Sequence, residues 1–257
     1  MNNSAKKQKL KEEKQLSFED VRANRDEALK TITSFLDSYI TNPKKIDKAN
    51  KFSYWLKDYS LYLSTEENFN PLYLKEYKRG DIIKVNLGYN VDKELGGLHY
   101  CVVLDNKNSK AFRTVTVVPL TSIKPEKEYS FPNIVLGNEL YKSIKEKRDN
   151  FESIVFTEAT KVISKNHTKK KGYSDFAQLH EIMEDLKLLS KIEEEIKGMK
   201  SGSIANVNQI RTISKMRIYN PRKNKDILSD IKLSEESLAL IDSAIIQAFT
   251  GINSEKK

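Results

Sequence analysis

Between Asp81 and Leu120 the chain sets three short runs, DIIKVNL, HYCVVLDN and RTVTVVPL, dense in Val, Ile, Leu and Tyr and separated by glycine, asparagine and lysine. Runs of this length and composition bounded by turn residues are β-strands, so a β-rich core is expected to begin near Tyr77. FPNIVLG adds another short strand, and SIANVNQIRTIS, Ser203 to Ser214, forms a second β patch. Helical periods surround these strands. Ser17 is placed to cap a helix along which Val21, Ala28, Ile32, Phe35, Leu36, Tyr39 and Ile40 recur. Asn42 and Pro43 open a second, striped by Ala49, Phe52, Leu56, Tyr59 and Leu63, with Trp55 and Tyr62 beside the stripe as packing residues. From about 138 to 200 the chain is helical and highly charged, with Phe176, Leu179, Met183, Leu186, Leu189, Ile192 and Ile196 in register behind the cap Ser174. A last helix follows Ser234, carries Glu235 and Glu236 where the helix dipole favours anions, and packs through Leu238, Ile241, Ile245 and Phe249. The expected organisation is α+β: a disordered tail over 1–16, a helical hairpin over 17–75, and a β domain over 76–257 with a helical insertion at 138–200.

Composition narrows the chemistry. No apolar run in the 257 residues approaches the roughly 20 needed to span a bilayer, and the N-terminal MNNSAKKQKLKEEKQ lacks the apolar centre of a secretion signal, so a cytoplasmic location is expected. A single cysteine, Cys101, excludes an internal disulfide and lies in an apolar strand as a buried thiol. No paired His, Cys or acidic cluster stands at ligand spacing, so neither a metal nor a cofactor is expected. The net charge of +9 gives a polyanion, nucleic acid above all, a reason to approach, though a lysine-rich solvated surface accounts for it equally well.

The segment KRGDIIKVNLGYNVDKELGGLHYCVVLDN, followed by RTVTVVPLTS, resembles the PemK/MazF family of endoribonuclease toxins from bacterial toxin–antitoxin systems. The likeness rests on Arg79, Gly80 and Asp81 at a strand start, on Glu94 before the pair Gly96 and Gly97, and on Thr121 and Ser122 closing VVPLTS. Asn208 to Ser214, NQIRTIS, is similar to the family's later Gln-x-Arg-Thr-Ile segment, so the resemblance spans about 77–137 and 201–250. It implies a small SH3-like β-barrel with a C-terminal helix, a homodimer, an antitoxin partner, and metal-free cleavage of single-stranded RNA. In that family the glycine pair is followed by arginine and proline, the arginine lying at the scissile phosphate. Here those positions are His99 and Tyr100.

Metal-free RNA cleavage needs a base for the 2'-hydroxyl, an acid for the departing 5'-oxygen, and donors for the charge that develops on phosphorus. Arginine suits the last task and histidine the first two, because histidine titrates near neutrality. His99 is therefore the expected acid–base residue, with Thr121 on the phosphate and Ser122 and Lys124 assisting; PLTSIK also resembles the strand end of ToxN-type RNases, where a nearby lysine belongs to the site. RNA contacts are expected from Asn206, Asn208, Arg211, Arg222, Lys223 and Lys225, and from Lys169, Lys170 and Lys171. Tyr89 and Tyr100 are candidates to stack bases. Glu94, Gly96, Gly97 and Arg79 are read as structural residues near the site. The plain alternative for His99 is a strand cap or a partner of Glu94, and for Arg211 a structural ion pair. His167 belongs to a solvated basic loop, and His180 to a helix surface. A catalytically inactive relative that binds RNA or protein through the same domain is the competing function.

Overall fold

The computed structural model describes residues 17–166 and 173–252. The 1–16 tail, His167 and Lys169 to Lys171 lie outside the described residues, as do the side chains of Ser174 and Phe176. The chain divides into two compact units, one ending at Asp58 and one beginning at Tyr59.

In the first unit, helix α1 (Phe18–Ile40) starts with a capping box in which the Ser17 side chain and Asp20 satisfy each other's backbone donors. Helix α2 (Ile46–Thr65) starts in this unit and continues past Asp58; it begins later than Pro43, because Asn42 makes a turn instead of a cap. The Asn42 side chain accepts from the Lys44 N–H at 3.0 Å, and its carbonyl accepts from Ile46 at 3.1 Å. Phe35 meets Phe52 edge-on, with ring centroids 5.6 Å apart.

The second unit is built on seven antiparallel strands: β1 (Ile82–Asn86), β2 (Leu98–Val103), β3 (Thr114–Ser122), β4 (Asn133–Gly137), β5 (Ser203–Asn206), β6 (Arg211–Ser214) and β7 (Ile218–Asn220). Between β4 and β5 come helices α3 (Glu139–Asn166) and α4 (Tyr173–Gly198), and α5 (Glu235–Phe249) closes the fold. The ladder runs β4-β5-β3-β2-β1-β7, with β6 also on β3. The sequence's second β patch is two strands because β3 is 9 residues long and needs two partners on one edge. Its first half pairs with β6 from Thr114↔Ser214 to Val117↔Arg211, and its end with β5 from Leu120↔Ala205 to Ser122↔Ser203. A 3-10 turn, Val207–Gln209, separates the two. The fold is α+β, but the ladder is open rather than a closed barrel. The chain passes from β6 to β7 through a second 3-10 turn, Lys215–Arg217, where a closed sheet would need strand pairing.

Apolar side chains fill both faces of the sheet, which is why the strands read as unbroken runs instead of alternating ones. Ile82, Val102, Val118 and Leu120 pack beneath Leu140 and Ile144 of α3, Ile192 of α4, and Leu238 and Ile241 of α5. Ile83, Val85, Cys101, Val103 and Val117 pack on the other side with Tyr77, Ile213 and Ile218. The expected stripe of α4 holds toward its end, where Ile192 is buried and Ile196 packs on the core. Earlier in the helix Ile182 is buried instead, against Val155 and Val162 of α3, and Leu179, Met183 and Leu186 are exposed. Phe249, expected in the core, is also exposed at the end of α5. Part of the positive charge is drawn inward: buried Lys215 and half-buried Lys147 donate to backbone carbonyls. Among the described residues, no helix is long and apolar enough to cross a membrane.

Candidate active site

The β1–β2 loop delivers His99 to the start of β2. Gly97 takes φ +84°, in the left-handed region that suits glycine, and a Cβ on Gly96 would lie 2.6 Å from the carbonyl oxygen of Gly88. The loop doubles back at this point. Leu87 N–H donates to Gly97 at 2.7 Å and Gly97 N–H to Gly88 at 2.6 Å. Asn90 Nδ2 donates to the carbonyls of Leu87 and Leu95 at 3.1 and 2.6 Å. Gln209 Oε1 ties the loop to the later segment, accepting from Leu95 N–H at 3.1 Å and from Arg211 Nη2 at 3.0 Å. Glu94 stays within the loop, its carboxylate accepting from Val91 N–H at 3.4 Å, and does not reach His99.

His99, Thr121 and Ser122 line one cleft of about 220 Å³. The imidazole Nδ1 lies 3.1 Å from the carbonyl oxygen of Leu120. A carbonyl only accepts, so Nδ1 carries the hydrogen and, in the neutral ring, Nε2 keeps its lone pair. Thr121 Oγ1 accepts from Asn206 Nδ2 at 2.9 Å, which directs the hydroxyl proton away from Asn206 and makes it available as a donor. Beside it, Ser122 faces Ser203 across the β3–β5 ladder, and Ser203 lines the cleft too.

The remaining wall comes from the insertion. Leu140 and Tyr141 of α3, Gly198 at the end of α4, and the linker from Met199 to Gly202 complete the lining. That linker lies close on β3: Ile123 N–H donates to the Gly202 carbonyl at 2.9 Å, and a Cβ on Gly202 would meet the Ile123 side chain at 2.6 Å. Tyr141, Lys200 and Ser201 were not expected in the site. Nothing in the periodicity of the insertion points to them, because only the return of the chain onto the end of β3 brings them there.

Behind the cleft, α4 is anchored to the sheet by a polar triad. Glu195 Oε1 accepts from Lys84 Nζ at 2.5 Å and from the Tyr100 hydroxyl, and the Lys84 ammonium stands 5.2 Å from the centre of the Tyr100 ring. Burial, and then the Glu195 contact, push the Tyr100 phenol well above its ordinary range. Tyr100 lines the cleft, but its ring is half-buried and covered by a cation, which leaves little of it to stack on a base.

Other expected residues stand apart from the lining. Lys124 is exposed and donates its backbone N–H to the Tyr129 hydroxyl at 2.8 Å. Asn208 is exposed on its 3-10 turn. Arg211 is held by Gln209 rather than by a carboxylate. The backbone N–H groups of Arg222 and Lys223 donate to Asp226 at 2.6 and 2.9 Å, beyond β7, and Lys225 Nζ is 3.4 Å from Glu181. Arg79 ties Leu104 and Asp242 together at the end of β2 away from His99. Tyr89 is half-buried in its loop, and His180 is exposed on α4. The Cys101 thiol is pushed up to about 12 by burial, which suits an inert core residue. Among the described residues no group of three or more His, Cys, Asp or Glu side chains could hold a metal ion.

No curated protein matches the chain. Residues 78–190 match the family described as PemK-like, MazF-like toxin of type II toxin–antitoxin system. The match takes in β1 to β4, including His99 and Thr121, and runs through α3 into α4, leaving β5 to β7 and α5 outside it. Over residues 78–190, somewhat less than half of its length, the chain is therefore similar to the PemK-like, MazF-like toxins of type II toxin–antitoxin systems.

Proposed function

We propose that this protein is a metal-independent endoribonuclease toxin that cleaves single-stranded RNA by attack of a 2'-hydroxyl on the adjacent phosphodiester. The observation that carries the proposal is the shared cleft of His99 and Thr121, with one imidazole nitrogen fixed on Leu120 and the threonine oxygen fixed by Asn206. His99 Nε2 takes the 2'-hydroxyl proton as that oxygen bonds to phosphorus. The bond from phosphorus to the 5'-oxygen breaks, and the imidazolium returns the proton to the leaving oxygen. The products are a 2',3'-cyclic phosphate and a 5'-hydroxyl. Thr121 and Ser122 donate to the phosphoryl oxygens as charge builds on them. Asn206 sets the Thr121 hydroxyl, and Asn208, Arg211, Arg222 and Lys223 contribute contacts to RNA flanking the cleft, as does Lys124. We assign the 76–257 domain to an open variant of the small SH3-like architecture, a reading supported by its antiparallel ladder and closing helix. The toxin family implies an antitoxin partner, and we assign a homodimeric, cytoplasmic state to the active form.

The test is incubation of the purified full chain with a single-stranded RNA in EDTA, comparing wild type with His99→Ala and Thr121→Ala. General acid–base catalysis is worth about 10²–10⁴-fold, so His99→Ala should lose that much rate. Undiminished cleavage by both variants would remove the site assignment. RNA bound but never cleaved, even by wild type, would favour a non-catalytic RNA- or protein-binding module in which His99 only ties β2 to β3.

A further inference from the structure

The polar part of the cleft consists of hydroxyls, one imidazole and one ammonium, that of Lys200; no aspartate or glutamate lines it. Lys84, Lys187 and Lys225 each lie within ion-pair distance of a glutamate. Lys200 is exposed and has no carboxylate partner among the described residues. Its position is constrained on both sides. Met199 packs against the core and its N–H donates to Ile196 at 3.1 Å, while Gly202 is pressed against Ile123 and Ser203 pairs with Ser122. Three residues of chain span at most about 10 Å, so the lysine cannot stray far from the Ser122–Ser203 pair.

A phosphodiester under attack gains negative charge. A histidine acting as base must start neutral, and serine and threonine hydroxyls are dipoles, so these groups leave the net charge of the phosphate uncompensated. We propose that Lys200, supplied by the helical insertion, is the phosphate-binding cation of this cleft, and that its ligand is a backbone phosphate of single-stranded RNA. This rests on the nuclease assignment above. The insertion then completes the site instead of merely extending the fold, and the division of labour is that Lys200 holds charge while His99 moves protons.

The experiment uses the full chain and a 2'-O-methyl RNA oligonucleotide, which binds but cannot react, with fluorescence anisotropy over a series of salt concentrations. The same sequence as unmodified RNA reports cleavage. Lys200→Ala and Lys200→Gln should weaken oligonucleotide binding by about tenfold and lower the slope of log affinity against log salt by about 0.7, the loss of one phosphate contact on a single strand. Lys200→Arg should bind within about twofold of wild type, since a guanidinium also neutralises phosphate. Lys191→Ala, which removes an equal charge from an exposed position on α4 outside the cleft, should also stay within about twofold. If wild type cleaves RNA and Lys200→Ala binds with unchanged affinity and slope, the lysine assignment falls and the nuclease assignment stands. Equal losses in Lys200→Ala and Lys191→Ala would reduce the effect to the overall field and overturn it as well. Wild type that neither binds nor cleaves RNA removes both.

Discussion

Replacing Glu195 with alanine tests how the insertion is fastened to the sheet. In the folded chain its carboxylate serves Lys84 at 2.5 Å and the Tyr100 hydroxyl together, with the Lys84 and Glu195 side chains only 19% and 16% exposed. Truncation leaves an ammonium facing an aromatic ring with no anion, and a half-buried phenol with no acceptor. Breaking a buried ion pair costs about 3–5 kcal/mol, and the residual exposure lets water offset part of it, so we expect about 2–4 kcal/mol here. For a chain of this size each kcal/mol moves the melting temperature by about 2–4 °C, so a loss near the middle of that range lowers it by about 6–12 °C. Glu195→Gln, which keeps an acceptor for Tyr100, should lose about half as much. The triple variant Lys84→Met/Tyr100→Phe/Glu195→Leu removes every polar member at once and should recover most of the stability, because apolar groups of similar volume replace buried ion pairs at little net cost. Thermal and urea unfolding measure all three. A Glu195→Ala melting temperature within about 2 °C of wild type, or a triple variant as unstable as the single one, would refute the account.

Other outcomes follow from the same geometry. Gly96→Ala places a methyl 2.6 Å from a backbone oxygen, and Gly97→Ala must hold φ +84°. Both should melt below wild type, the second by about 1–2 kcal/mol, whereas Gly198→Ala, whose Cβ meets open space, should not; equal melting of all three would contradict the loop geometry. Tyr100 ionises near its ordinary 10.0 in the unfolded chain and higher in the fold. Its contribution is thus complete below that pH and lost as pH rises above it, and the stability difference between wild type and Tyr100→Phe should shrink from about pH 9 to about pH 11. A difference that stays constant over that range would count against the buried phenol. Cys101, buried with its thiol held near 12, should resist maleimide at neutral pH and react only on unfolding; fast labelling of the native chain would contradict the packing of β2.

The strands were legible in the sequence because β1, β2 and β3 bury both faces, and a strand with no solvent face has to be apolar throughout. The glycine pair was legible because a left-handed turn and a backbone approach each leave room for little else. His99 and Thr121 stood out by their place in a family pattern, and their sharing of one cleft follows from the turn that starts β2 beside the end of β3. Local pattern could not say that the ladder stays open, that 203–214 divides to serve two halves of one long strand, or which side of α4 is buried in its earlier turns, because each depends on partners distant in sequence. It also could not select Lys200 from the chain's 45 lysines and arginines. An ammonium in a linker looks the same in sequence whether it faces water or a phosphate. Only the folding of the α4–β5 linker onto β3 places this one in a cleft free of carboxylates.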